Sequence, residues 1–141
     1  VAVVGPGEAT AEEIEAARRV GAGLARAGAV VVTGGRGGVM EAACRGAAEQ
    51  GGTTVGILPG TDRSEANRWV AVAIPTGLGE LRNGLVVRCA DAVIAVGGAY
   101  GTLSEIALAL KTRVPVVGLA SWRIEGVHAV DSPEEAVARA T

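Results

Sequence analysis

Short apolar runs alternate along this chain with longer stretches of helical period, and nearly every apolar run stops at glycine or proline. Val1–Val4, Ala29–Thr33, Thr53–Leu58, Trp69–Ile74, Asp91–Val96 and Val114–Leu119 read as strands, with Val127–Val130 a short seventh. Between the first two, Thr10 stands three residues before Glu13, a capping box that opens a helix through Ile14, Ala17, Val20 and Leu24. Gly28 closes it. Further helices are predicted from about Val39 to Gln50, Glu80 to Cys89 and Thr102 to Lys111. Ser132, Pro133 and Glu135 suit the cap and first turn of a last helix. The stretch Thr61–Arg68 is polar and aperiodic, so it reads as a loop.

Unbroken Val/Ile runs are buried on both faces, and their alternation with helices implies a parallel sheet of right-handed crossovers. The predicted fold is α/β: a three-layer α/β/α sandwich with a mostly parallel, Rossmann-like sheet, one domain over residues 1–141. In such sheets ligands bind beyond the carboxyl ends of the strands. Gly5-Pro6-Gly7, Gly34–Gly38, Pro59-Gly60, Pro75-Thr76-Gly77 and Gly97–Thr102 all fall at strand ends of that kind.

Composition narrows the partners. Hydrophobic residues make up 49% and aromatic ones 2%, so the core must be built from Val, Ala, Leu and Ile in closely packed layers. A net charge of −2 does not suit a dedicated nucleic-acid or membrane-surface binder. No apolar run reaches the roughly 18 residues that a membrane span needs. The opening Val1–Gly5 reads as a strand inside the fold rather than a signal peptide, and the expected location is cytoplasmic. Cys44 and Cys89 lie in apolar helical patterns without metal-ligand spacing, so both are expected as buried thiols, with no metal site.

The candidate chemistry sits in two glycine loops. Gly34, Gly35, Gly37 and Gly38 form one; Gly97, Gly98, Gly101 and the following Thr102 form the other. Backbone N–H groups left bare by glycine, at the positive end of a helix dipole, suit a phosphate. Arg36 either reaches that anion or is simply solvated. Tyr100, inside the second loop, either stacks on a ring or is a surface aromatic. Glu105, placed in the first turn of a helix opening at Thr102, is expected to be ionised by the helix dipole. Arg82 suits bidentate phosphate binding or a surface ion pair. A dinucleotide site would need an acid at the end of the second strand, where Thr33 stands instead. A P-loop would need Gly-Lys-Ser/Thr, and Lys111 is the only lysine in the chain.

The ordered segments GGRGGVMEAA (34–43), GILPG (56–60), AIPTG (73–77), LRN (81–83) and VGGAYGTLSEIALAL (96–110) resemble the Rossmann-like LOG superfamily. They are most similar to its small bacterial branch, which includes molybdenum cofactor carrier proteins. The resemblance implies a ligand site drawn from Gly5, Gly34, Gly35, Gly37, Gly38, Met40 and Gly60. To these it adds Thr76, Gly77, Arg82, Asn83, Gly97, Gly98, Tyr100, Gly101, Thr102 and Glu105. It also implies a homo-oligomer, dimer or tetramer.

Activating LOG members hydrolyse the N-glycosidic bond of nucleoside 5′-monophosphates, using an Arg-Lys pair and P-G-G-x-G-T-x-x-E-x-x-E. Here Arg82 and Glu105 match and would be the catalytic pair of a hydrolase, but Asn83 replaces the lysine, Val96 the proline and Leu108 the second glutamate. Glycosidases usually need a second carboxylate, which would have to come from Glu41 or Glu80, or the base itself must take the proton. The expected function is therefore binding of a phosphorylated small molecule, a nucleotide or molybdopterin-type ligand, with no cofactor required. Nucleoside-monophosphate hydrolysis is the alternative, and a module that reads a nucleotide signal is a third.

Overall fold

The strand and helix signals resolve into a seven-stranded sheet whose pairings are all parallel, in a computed structural model that describes residues 1–141. In chain order the elements are β1 (Ala2–Val4), α1 (Ala11–Arg26), β2 (Val31–Thr33), α2 (Val39–Glu49), β3 (Thr54–Leu58) and β4 (Val72–Pro75). There follow α3 (Arg82–Arg88), β5 (Val93–Val96), α4 (Tyr100–Lys111), β6 (Val116–Leu119), β7 (Val127–Val130) and α5 (Pro133–Ala140). The sheet order is β4-β3-β2-β1-β5-β6-β7. Building outward from β1, the chain first winds to β4, then returns to place β5 on the other side of β1. The order therefore reverses between β1 and β5, which is where open α/β sheets bind their ligands.

Side chains alternate across the pleat, so each central strand feeds two cores. Val3, Ile94 and Val117 join Val20 and Leu24 of α1, Ala43 of α2 and Ala136 of α5 on one face. Ala2, Val4 and Ala95 join Val86 and Val87 of α3 and Ile106 of α4 on the other. With so few aromatics the layers sit close together. A Cβ added at Gly21 of α1 would lie 2.0 Å from the Ala43 carbonyl oxygen, and one at Gly46 of α2 would lie 1.9 Å from that of Arg18. These two glycines let the helix backbones touch.

Some expectations shift. The strand expected at Trp69 starts at Val72, because side chains satisfy the backbone before it. Asn67 Oδ1 accepts from the Trp69 N–H (3.0 Å), and the Thr54 hydroxyl donates to the Trp69 carbonyl (2.7 Å). The Thr61–Arg68 loop contains a 3-10 turn at Arg63–Glu65. Another 3-10 turn at Gly79–Leu81 precedes α3, so the helix begins at Arg82 rather than Glu80. Cys44 is buried as expected, but Cys89 is exposed, since it is the C-cap of α3 and not part of its apolar face. No helix is long and apolar enough to cross a membrane.

Candidate functional site

A cavity of about 230 Å³ opens at the point where the strand order reverses. The turn after β1, Gly5-Pro6-Gly7, forms one wall, and Ala99, Gly101 and Thr102 at the start of α4 form the opposite one. Gly34 comes from the β2–α2 connection, Met40 from the first turn of α2, and Arg82 and Asn83 from the start of α3. Glu105 lies in the same cavity. The reason these distant segments meet is directional. In a parallel sheet all carboxyl ends share one edge, so each strand contributes its following turn to the same rim.

Helix α4 begins two residues earlier than expected. Its N-cap, Ala99, is extended and offers no side-chain cap. The first N–H groups of the helix have no partner within it, and Ala99, Gly101 and Thr102 of this turn line the cavity. Thr102, only 2% exposed, presents a hydroxyl there that makes no hydrogen bond. A buried hydroxyl left unpaired costs roughly 1–3 kcal/mol, so a ligand oxygen here gains both that group and the helix N–H donors.

Arg82 is half-buried and held in place by carbonyls. Its Nε donates to the Ile57 carbonyl (2.9 Å), one terminal nitrogen to the Gly34 carbonyl (3.4 Å) and the other to Asn83 Oδ1. A Cβ at Gly34 would lie 2.6 Å from the guanidinium, so glycine is what lets Arg82 lie across that loop. Asn83 in turn donates to the Ser104 hydroxyl (3.5 Å), which donates to the Gly101 carbonyl (2.6 Å).

Glu105 corrects the sequence reading. It lies in the second turn of α4, not the first, and is 7% exposed. Burial pushes its carboxyl up to about 7, against a smaller downward pull from the Arg82 charge. No protein group within salt-bridge distance pairs with it, and no hydrogen bond reaches it. Burial also lowers the Arg82 guanidinium, partly offset by Glu105. The two side chains share the cavity without forming an ion pair.

The expected residues divide. Gly5, Gly34, Met40, Arg82, Asn83, Gly101, Thr102 and Glu105 lie together. Pro6, Gly7 and Ala99 join them unexpectedly; the glycine turn after the first strand was the signal for the first two. The rest of the first loop does not line this cavity. A Cβ at Gly35 would meet Leu58, and one at Gly38 would meet the Pro6 and Gly7 carbonyls. Gly37 has only the Gly7 carbonyl near it. Arg36 pairs with Glu65 (3.4 Å) instead of reaching the cavity.

Gly60 also lies against Glu65, and the Thr76 hydroxyl is spent on the Leu58 carbonyl (2.6 Å), beside Gly77. Gly97 lies against Glu13 and Gly98 against Trp122. Tyr100 is 84% exposed, stacks on Trp122 with ring centres 6.3 Å apart, and lines an adjoining outer cavity of about 570 Å³. That outer cavity shares Asn83 and Gly101 with the inner one.

The chain is similar to known proteins along almost its whole length. An uncharacterized protein of Archaeoglobus fulgidus is 44% identical over 138 residues, covering 97% of this chain and 91% of that one. The molybdenum cofactor binding protein of the phototrophic bacterium Rippkaea orientalis superposes with a TM-score of 0.93 at 40% identity, over 98% of this chain and 92% of its own. The molybdenum cofactor carrier protein of Chlamydomonas reinhardtii gives a TM-score of 0.88 at 35% identity, over 98% and 92%. The sequence pattern of the SLOG cluster4 family matches residues 1–141, and the chain belongs to that family.

Proposed function

We propose that the chain binds a phosphorylated small molecule of molybdopterin or nucleotide type, with its phosphoryl group in the inner cavity. The unpaired, buried Thr102 hydroxyl beside the uncapped start of α4 carries this reading. Three anion-seeking features converge there: helix N–H donors, a hydroxyl and the Arg82 guanidinium. At about 230 Å³ the inner cavity suits a phosphoryl group with part of a sugar, and the larger outer cavity continues from it past Tyr100 and Leu108. The ring of the ligand belongs in that outer space. The Rippkaea protein is named for binding molybdenum cofactor and the Chlamydomonas protein for carrying it, which supports a ligand of this kind here.

Inorganic phosphate is expected to raise the melting temperature of the chain, because a ligand bound only to the native state stabilises it by mass action. Gly101→Val is the clean test. Nothing lies within 4 Å of a Cβ at Gly101, which lines both cavities, so the new side chain would crowd their shared rim without disturbing the protein. Gly98→Val is a poorer probe, since a Cβ there already lies 3.2 Å from the Trp122 nitrogen. The phosphate-induced shift should vanish in Gly101→Val. Its persistence there would remove the inner cavity as the phosphate site.

Hydrolysis is the second reading, and one observation favours it. A carboxyl held near 7 is well matched to donate a proton to a departing base at neutral pH. Against it stands Leu108, where the resemblance places a second glutamate. AMP and GMP are expected to bind and return intact. Chromatographic release of free base that is fast in the wild type and lost in Glu105→Ala would promote the hydrolase instead.

A further inference from the structure

Parallel neighbours are normally joined by a crossover of a dozen or more residues, usually a helix. Here residues 120–126 alone join β6 to β7, and no helix lies among them. This short connection and the strands it joins line a cavity of about 490 Å³. It opens toward the carboxyl ends of β6 and β7 and shares no lining residue with the phosphate-size cavity. Trp122 stands between the two regions, its Nε1 donating to the Ala99 carbonyl (3.1 Å).

The cavity has the makings of a built site. Leu119, Trp122, Ile124 and Val127 supply apolar wall. The Ser121 hydroxyl is buried with no hydrogen-bond partner, one of only two such side-chain atoms in the chain. Arg123 and Asp131 also line it, and neither side chain has an ion-pair partner. Ala120 leads into it with φ of 49°, a left-handed conformation that residues with a Cβ rarely adopt and that recurs at ligand sites. Concave sites of this size with apolar walls and a few polar groups are typical of small-molecule binding.

We propose that this cavity is a second ligand site, taking an uncharged planar nitrogen heterocycle of nucleobase size. One guanidinium and one carboxylate balance, so nothing in it selects a phosphate. The indole and aliphatic walls suit a flat apolar face. The free hydroxyl, guanidinium and carboxylate suit a ring edge that carries both donors and acceptors. The proposal stands independently of the phosphate reading, because the two cavities are separate.

Adenine is the probe, followed by tryptophan fluorescence in a Trp69→Phe background so that only Trp122 reports. Trp69 lies elsewhere, between the Arg45 and Arg68 guanidinium groups. Saturable quenching at sub-millimolar adenine is expected, with the same constant by calorimetry on the unaltered chain. Ala129 is an exposed lining residue on β7, and Ala129→Phe should fill the cavity and abolish the quenching. Ser121→Ala should weaken binding about 5- to 10-fold, as expected for one lost hydrogen bond, while leaving the melting temperature unchanged. Saturable quenching left intact by both variants would overturn the proposal, as would its absence from the parent or its displacement by inorganic phosphate.

Discussion

Glu105→Gln should make the chain more stable than wild type at pH 8 and no different near pH 4.5. The Glu105 carboxyl is raised from 4.5 to about 7 in the folded protein by burial. Between those values the unfolded chain has released its proton while the folded chain still holds it. Stability therefore falls as pH rises through this window, and the whole Glu105 penalty is in place above about 7. A shift of that size corresponds to about 3 kcal/mol, or roughly 10 °C in melting temperature for a domain of this length. Glutamine keeps the shape and cannot ionise, so it escapes the loss. Melting curves of both proteins across pH 4.5–8 give the answer: parallel curves would mean that Glu105 is not desolvated as the fold implies. The same change bears on the ligand. Sulfate, whose charge is fixed over this range, should bind wild type more tightly at pH 6 than at pH 8, and Glu105→Gln equally at both.

The second large effect is structural. Gly46→Ala is expected to destabilise the fold by about 3 kcal/mol or more, because its Cβ would lie 1.9 Å from the Arg18 carbonyl oxygen and must force α1 and α2 apart. Both helices pack on the same core as Val3 and Ile94, so the displacement would reach the strands. Gly84→Ala is the matched comparison. It lies in α3 with nothing within 4 Å of its Cβ, and should instead be stabilising by about 0.5–1 kcal/mol. Denaturant midpoints for the two variants on either side of wild type are the expected result. A Gly46→Ala midpoint equal to wild type would contradict the close helix contact.

Most of the architecture was legible from local pattern. The apolar runs, the Thr10–Glu13 capping box and Ser132 at the last cap all report on their own neighbours in the chain, and each appears in the structure. So do the turns at strand ends, since glycine and proline act through their own backbone angles. The parallel sheet follows from the alternation, and with it the shared rim on which those turns collect. Misplaced boundaries had long-range causes. Trp69 is kept out of β4 by Asn67 and Thr54, and the start of α4 at Tyr100 has no capping side chain to announce it.

What the sequence determined by itself was the order of elements and the edge of the sheet that carries the candidate residues. Only the tertiary structure decided which of those residues face one another. It turned Arg36 outward to Glu65, laid Arg82 across Gly34, and separated Gly97 and Gly98 from Gly101 and Thr102. It also raised the Glu105 carboxyl, expected from sequence to be ionised, to about 7. A helix dipole can be inferred from position in the chain, but desolvation depends on what packs around a group from distant segments. Burial, and the pKa and unpaired hydroxyl that follow from it, is a property of the assembled layers and has no local signature.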